Sequence, residues 1–152
     1  MSKPCIFCQI AANEAPHALV YEDAECSAFM DIHPLGRGHV LVIPKQHAVQ
    51  ITELDGAFQD RLFQVARRVL KAQRQLGWGL KGTHILLNDG KAANQTVPHA
   101  HIHVIPRESR DNLKSMGRLL LHVTGLFGPR QKPAVLQQQA EALRHEMDRF
   151  QE

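Results

Sequence analysis

The sequence predicts an α+β domain built on an antiparallel sheet, and three observations point to it. Five short segments read as strands, most of them joined by hairpin-like connections. One long stretch between the third and fourth repeats its apolar residues at helical spacing. The 152 residues suit one domain with a single core and leave little room for a second.

In chain order, Leu19–Tyr21 and Cys26–Met30 are the first two strands, with Glu22–Glu25 as the turn between them. His33-Pro34-Leu35-Gly36-Arg37-Gly38 is a loop, because one Pro and two Gly break both periodicities. His39–Ile43 is a continuous apolar strand ended by Pro44. A helix then starts around Thr52–Asp55 and closes at Gly77. Its residues Phe58, Leu62, Val65, Val69, Ala72 and Leu76 step by three and four to make one buried stripe. Thr52 and Asp55 have the spacing of a capping box, and Gly77 suits the C-terminal stop. Thr83–Asn88 is a strand, Asp89–Val97 a polar loop, and His99–Ile105 a last strand ended by Pro106. Beyond Glu108, Leu113–Leu121 reads as a short helix and Gly125–Pro133 as an irregular link. Pro133–Phe150 carries Leu136, Ala140, Leu143, Met147 and Phe150 at helical spacing, with Pro133 where a first helical residue can lack its N–H.

Composition narrows the function. Eighteen basic and fifteen acidic residues leave a formal charge of +3, with an isoelectric point near 8.9. That balance permits anionic partners without singling out nucleic acid, and 5% aromatic content counts against a stacking platform for single strands. No apolar run approaches the ~20 residues of a membrane span. The start, Met1-Ser2-Lys3-Pro4-Cys5, lacks a secretory pattern, so a cytoplasmic protein with no membrane partner is expected.

The sharpest feature is Pro98-His99-Ala100-His101-Ile102-His103-Val104-Ile105-Pro106. Alternation on a strand puts the three histidines on one face and the apolar residues on the other. Three buried imidazoles carry six ring nitrogens that need partners, which a purely structural role satisfies poorly. Two chemistries are open. Neighbouring histidines two apart on a strand, ~7 Å at the backbone, can chelate one ion, whereas the outer pair, ~13 Å apart, cannot join them easily. Alternatively, one neutral imidazole attacks a phosphoryl group while its neighbours donate to the phosphate oxygens.

This strand resembles the signature of the histidine triad (HIT) family. The resemblance extends through Cys5-Ile-Phe-Cys8-Gln-Ile, Ala28-Phe-Met-Asp31-Ile, Pro34-Leu-Gly-Arg-Gly-His39-Val-Leu-Val-Ile-Pro44-Lys-Gln-His47 and Asn88-Asp-Gly…Asn94-Gln-Thr-Val97, in family order over about residues 4–107. It implies a HIT-like fold, a five-stranded antiparallel sheet with helices, in a homodimer whose sheets join edge to edge. Residues 1–107 would be the HIT domain, and 108–152 a helical extension packed on it or on the dimer partner. The implied substrate is a purine nucleotide conjugate, hydrolysed or transferred at its α-phosphorus without a metal in the chemistry. By similarity His101 is the nucleophile, His103 a phosphate-side donor and His39 a histidine that holds them in place. Asp31 stands at the ribose-binding position, with capping of the turn before His33-Pro34 as the alternative reading. Asn88, Gln95 and Thr96 match the phosphate pocket. Lys45 and Arg107 could add positive potential.

Cys5-x2-Cys8 has the spacing of half a zinc site, against which stands a pair of thiols without metal at the terminus. A thioredoxin-like role lacks its βαβ context, and Cys26 reads as a small core residue. The branch of the family that the sequence resembles completes the knuckle with the residues that are His47 and His99 here, giving a structural Cys2His2 zinc site. Two rivals remain: a nucleotide-binding regulatory protein with little turnover, and a metallohydrolase using the histidine strand as its ligands.

Overall fold

The computed structural model describes residues 4–109, 116–118, 120 and 128–150. Strands β1 (Leu19–Glu22), β2 (Cys26–Met30), β3 (Val40–Pro44), β4 (Thr83–Leu87) and β5 (Ile102–Pro106) form one antiparallel sheet. Their order is β1-β2-β3-β5-β4. The Asp23 carboxylate shapes the β1–β2 turn by accepting the Glu25 and Cys26 N–H groups at 2.8 and 2.7 Å.

The three central strands are buried at every position, because both faces of the sheet are covered. Alternation sends Ala28, Met30, Val40, Val42, Ile102 and Val104 to one face. There they pack on α2 (Gly56–Gln75) through Leu62, Val65, Val69 and Ala72. Leu136, Ala140, Leu143 and Met147 of α3 (Pro133–Asp148) join the same core, with Pro133 in the first turn of the helix. The opposite face presents Phe29, Leu41 and Ile43 to Phe7 and Ile10 of α1 (Ile6–Ala11).

Helix α2 ends as expected. Gly77 has φ +78°, its N–H donates to Arg74 O, and Trp78 N–H reaches back to Gln73 O at 2.8 Å, a Schellman closure. Its start differs from the expected capping box. Ile51–Glu53 forms a 3-10 turn, and Asp55 is the N-cap without a side-chain bond. Glu53 instead accepts the Val49 N–H at 2.9 Å. Thr52, spent in the turn, is too far back to cap.

The histidine strand also differs. β5 begins at Ile102, so only His103 of the three lies on it. His99 N–H turns back to Val97 O at 2.8 Å and Ala100 N–H pairs with Ala48 O at 2.7 Å, which takes that backbone off the sheet ladder. The three rings therefore do not share one face by strand alternation. Of the expected helix at Leu113–Leu121, residues 116–118 and 120 are helical, and the rest lie outside the described residues, as does the link before residue 128. No described helix is long and apolar enough to cross a membrane.

Candidate active site and metal centre

A cavity of about 430 Å³ opens on the α1 side of the sheet. Cross-strand register builds its floor: Phe29 pairs with Leu41, and Leu41 with His103. Phe7, Ile10, Ile32 and Val97 complete apolar walls, and Asp31, Thr96, His101 and His103 supply polar groups.

Backbone partners fix the proton on His39 and His101, and His39 in turn fixes it on His103. Leu35 N–H donates to His39 Nδ1 at 3.0 Å, so the His39 proton sits on Nε2. That Nε2–H faces His103 Nδ1 at 2.9 Å and Asp31 Oδ2 at 3.4 Å. His103 accepts at Nδ1 and therefore carries its own proton on Nε2, as a donor. His101 is set the opposite way. Its Nδ1–H donates to His99 O at 2.7 Å, which puts the lone pair on Nε2. The two rings are tilted against each other with centroids 4.9 Å apart. A ring nitrogen with a lone pair and a ring N–H donor thus belong to neighbouring residues on the cavity wall. Asp31 is buried, and its Oδ1 accepts the His33 N–H at 2.8 Å. It therefore caps the turn and lines the cavity at once.

A second cluster adjoins this one. Donor atoms of Cys5, Cys8, His47 and His99 all lie within 4.8 Å of one another. Cys5 Sγ and Cys8 Sγ are 3.4 and 3.6 Å from His99 Nδ1, and Cys8 Sγ and His99 Nδ1 are each 3.3 Å from His47 Nδ1. A tetrahedral ion with Zn–N of ~2.0 Å and Zn–S of ~2.3 Å has donor–donor edges of about 3.3–3.8 Å, so the group fits such an ion. His99 Nε2–H donates to Pro44 O at 2.8 Å, which aims the Nδ1 lone pair into the cluster. Burial pushes the His99 pKa down to about 4, against the bond to Pro44 and with help from His47 and His101, so the ring is neutral at pH 7. Burial, then the bond and charge of Cys5, push the Cys8 thiol up to about 11. Two thiolates so close need a cation to coexist.

Asp31, Thr96, His101 and His103 line the cavity, while His39 is fully buried and stands behind His103. Asn88 and Gln95 are not among the lining residues. The Gln95 amide is held by backbone instead, accepting Gly90 N–H at 2.8 Å and donating to Val49 O at 2.7 Å. Lys45 is bound to Glu22 at 2.7 Å, and Arg107 sits beside His84 at 3.4 Å; neither lines the cavity. Among the described residues, the Lys or Arg that does is Arg130, which no sequence pattern flagged. It sits on a stretch crossing the site: Gln131 N–H donates to Ile32 O at 2.9 Å and His33 Nδ1–H to Gly128 O at 2.9 Å. A lone Arg in an irregular link carries no pattern that would flag it.

The model of the HIT domain family matches residues 12–110. The chain belongs to the HIT family. A HIT-like protein of Mycobacterium tuberculosis is 41% identical over 118 residues, 78% of this chain and 81% of that protein. An adenosine 5′-monophosphoramidase of Saccharomyces cerevisiae is 37% identical over 68% of this chain and 62% of its own length. An adenylylsulfatase of Arabidopsis thaliana is 34% identical over 80% and 61%. Among solved structures, a zinc-bound histidine triad protein of Mycobacterium smegmatis superposes with a TM-score of 0.75 at 35% identity, covering 95% of this chain and 94% of its own. The five-stranded HIT fold expected from the sequence is therefore present, and HIT relatives of this chain include named nucleotide hydrolases.

Proposed function

We propose that this HIT protein is a nucleotide hydrolase or nucleotidyl transferase acting at the α-phosphorus of a purine nucleotide conjugate. The observation that carries the reading is the pair of opposed tautomers, with a lone pair on His101 Nε2 beside a proton on His103 Nε2. His101 Nε2 forms a bond to the α-phosphorus as the bond to the leaving group breaks, and the leaving group departs with a proton from the medium. Water then cleaves the P–N bond and releases the nucleoside monophosphate. The His103 Nε2–H donates to the oxygens on which charge develops. His39 holds His103 in the donor tautomer, as the His99 carbonyl holds His101 in the nucleophilic one. Phe7, Ile10, Phe29 and Ile32 offer the base an apolar slot, Asp31 accepts from the ribose hydroxyls, and Thr96 faces the phosphate. Asn88 belongs to that phosphate side by resemblance, and Gln95 shapes the loop that carries Thr96.

Cys5, Cys8, His47 and His99 would hold zinc. Bound there, it supplies a structural cross-link between the N-terminus and the segment leading into β5, outside the reacting centre. A cytoplasmic homodimer is part of the same reading: β4 lies at an edge of the sheet with Ile85 exposed, where a second sheet could pair.

The names of the two hydrolase relatives make the phosphoramidate of AMP and its mixed anhydride with sulfate the first substrates to try, beside diadenosine tetraphosphate. The wild type should release AMP from at least one of them. His101→Ala should lower kcat by about 10³-fold or more while AMP binding and metal content stay near wild type. Unchanged turnover in that variant would sink the mechanism. AMP binding without turnover of any conjugate would favour a regulatory nucleotide-binding protein.

A further inference from the structure

The metal cluster and the nucleotide cavity share structural parts. Cys5 is the N-cap of α1 and Cys8 lies in its first turns; Ile6, Phe7 and Ile10 of the same helix line the cavity. α1 has six residues and no side-chain bond at its cap, so its own helical propensity cannot hold that wall in place. Its anchors are the packing of Phe7 and Ile10 on the sheet and the two sulfurs beside His47 and His99. Phe7 stands edge-on to His99 and to His101, with centroids 5.9 and 5.2 Å apart. His99 joins the two sites a second time. Its Nδ1 faces the cluster while its carbonyl holds the His101 proton.

We propose that Cys5, Cys8, His47 and His99 are positioning residues for the nucleotide. Held on one metal ion, they clamp α1 against the segment before β5 and fix the apolar wall, so nucleotide affinity follows metal occupancy. The inference rests on the nucleotide reading above and adds to it a dependence of binding on the metal.

His47 makes the dependence testable, because it is exposed and outside the cavity lining. Removing it touches the cluster and leaves every wall residue in place. The experiment measures AMP affinity by calorimetry, with metal content by elemental analysis, for the zinc-loaded wild type, the chelator-stripped wild type and His47→Ala. The stripped wild type should bind AMP about tenfold more weakly, the scale of losing one or two well-packed apolar contacts. Added zinc should restore affinity in step with zinc bound. His47→Ala should match the stripped protein and need more zinc for the same recovery. Equal AMP affinity within twofold for loaded and stripped wild type would overturn the proposal, whatever His47→Ala does. Loss of the sheet signal by circular dichroism on stripping would also overturn it, since the metal would then serve global folding. Failure of the loaded wild type to bind AMP would sink the nucleotide reading itself, and this inference with it.

Discussion

Two clusters in this molecule each bring at least three metal-capable atoms within 4.8 Å of one another, yet they are chemically opposite. In Cys5/Cys8/His47/His99 the buried imidazole spends its N–H on Pro44 O and points its lone pair inward. In Asp31/His39/His103 the bond from Leu35 N–H consumes His39 Nδ1, and the remaining His39 N–H points at His103 and Asp31. Lone pairs converge in the first cluster, and a proton already fills the second. Proximity of ligand-type residues is therefore not enough to make a metal site. The backbone carbonyl or N–H on the far side of each ring decides whether it faces an ion or a neighbouring side chain.

The largest effect that would sharpen this contrast is at His103. His103→Ala removes the proposed phosphate donor from the cavity wall without altering any residue of the cysteine cluster. kcat should fall about 10²–10³-fold, the cost of losing one preorganised oxyanion donor, while zinc content stays at the wild-type level. Steady-state kinetics with elemental analysis on the same sample would check both halves. Loss of metal from His103→Ala would mean that the second cluster is the metal site and that the assignment of the two clusters is reversed.

His39 comes next in size and breaks the relay from inside. The side chain is fully buried and bonded at both ring nitrogens. His39→Ala leaves Leu35 N–H and His103 Nδ1 short of a partner, which should cost about 2–3 kcal/mol in urea unfolding. kcat should also drop about tenfold, because His103 is then free to take the tautomer that does not donate. Wild-type stability in this variant would show that the relay is not closed in solution.

The same contrast explains how far the sequence could be read. The α2 stripe, Gly77 and the apolar runs at β2 and β3 were legible because burial and periodicity act locally. The knuckle and the triad were legible as sets of residues, and resemblance supplied their partners. Their directions were not. Alternation placed His99, His101 and His103 on one face, but the bonds of His99 to Val97 and Ala100 to Ala48 shorten the strand and turn His99 toward the cysteines. Only the Ala100–Ala48 bond joins distant residues; the His99–Val97 and Leu35–His39 bonds are local, but they lie in irregular backbone that has no periodicity to read. The capping box at Thr52–Asp55 failed for a related reason: Glu53, one residue on, serves the preceding turn, and Thr52 is drawn into it.

Arg130 belongs to neither cluster and gives the smallest expected effect. The backbone around it is tied to Ile32 and His33, so the residue is held at the cavity from outside the sheet. The residue itself is exposed, and solvent screens whatever it offers a bound anion or a base edge. A screened contact of this kind is worth about 1 kcal/mol, so Arg130→Ala should raise KM about fivefold. kcat should stay within twofold, because the contact is the same in ground and transition states. A fall in kcat equal to the change in kcat/KM would place the guanidinium at the reacting phosphorus. The donor beside His101 would then be shared between His103 and Arg130, and the gap in kcat predicted between His103→Ala and Arg130→Ala would narrow.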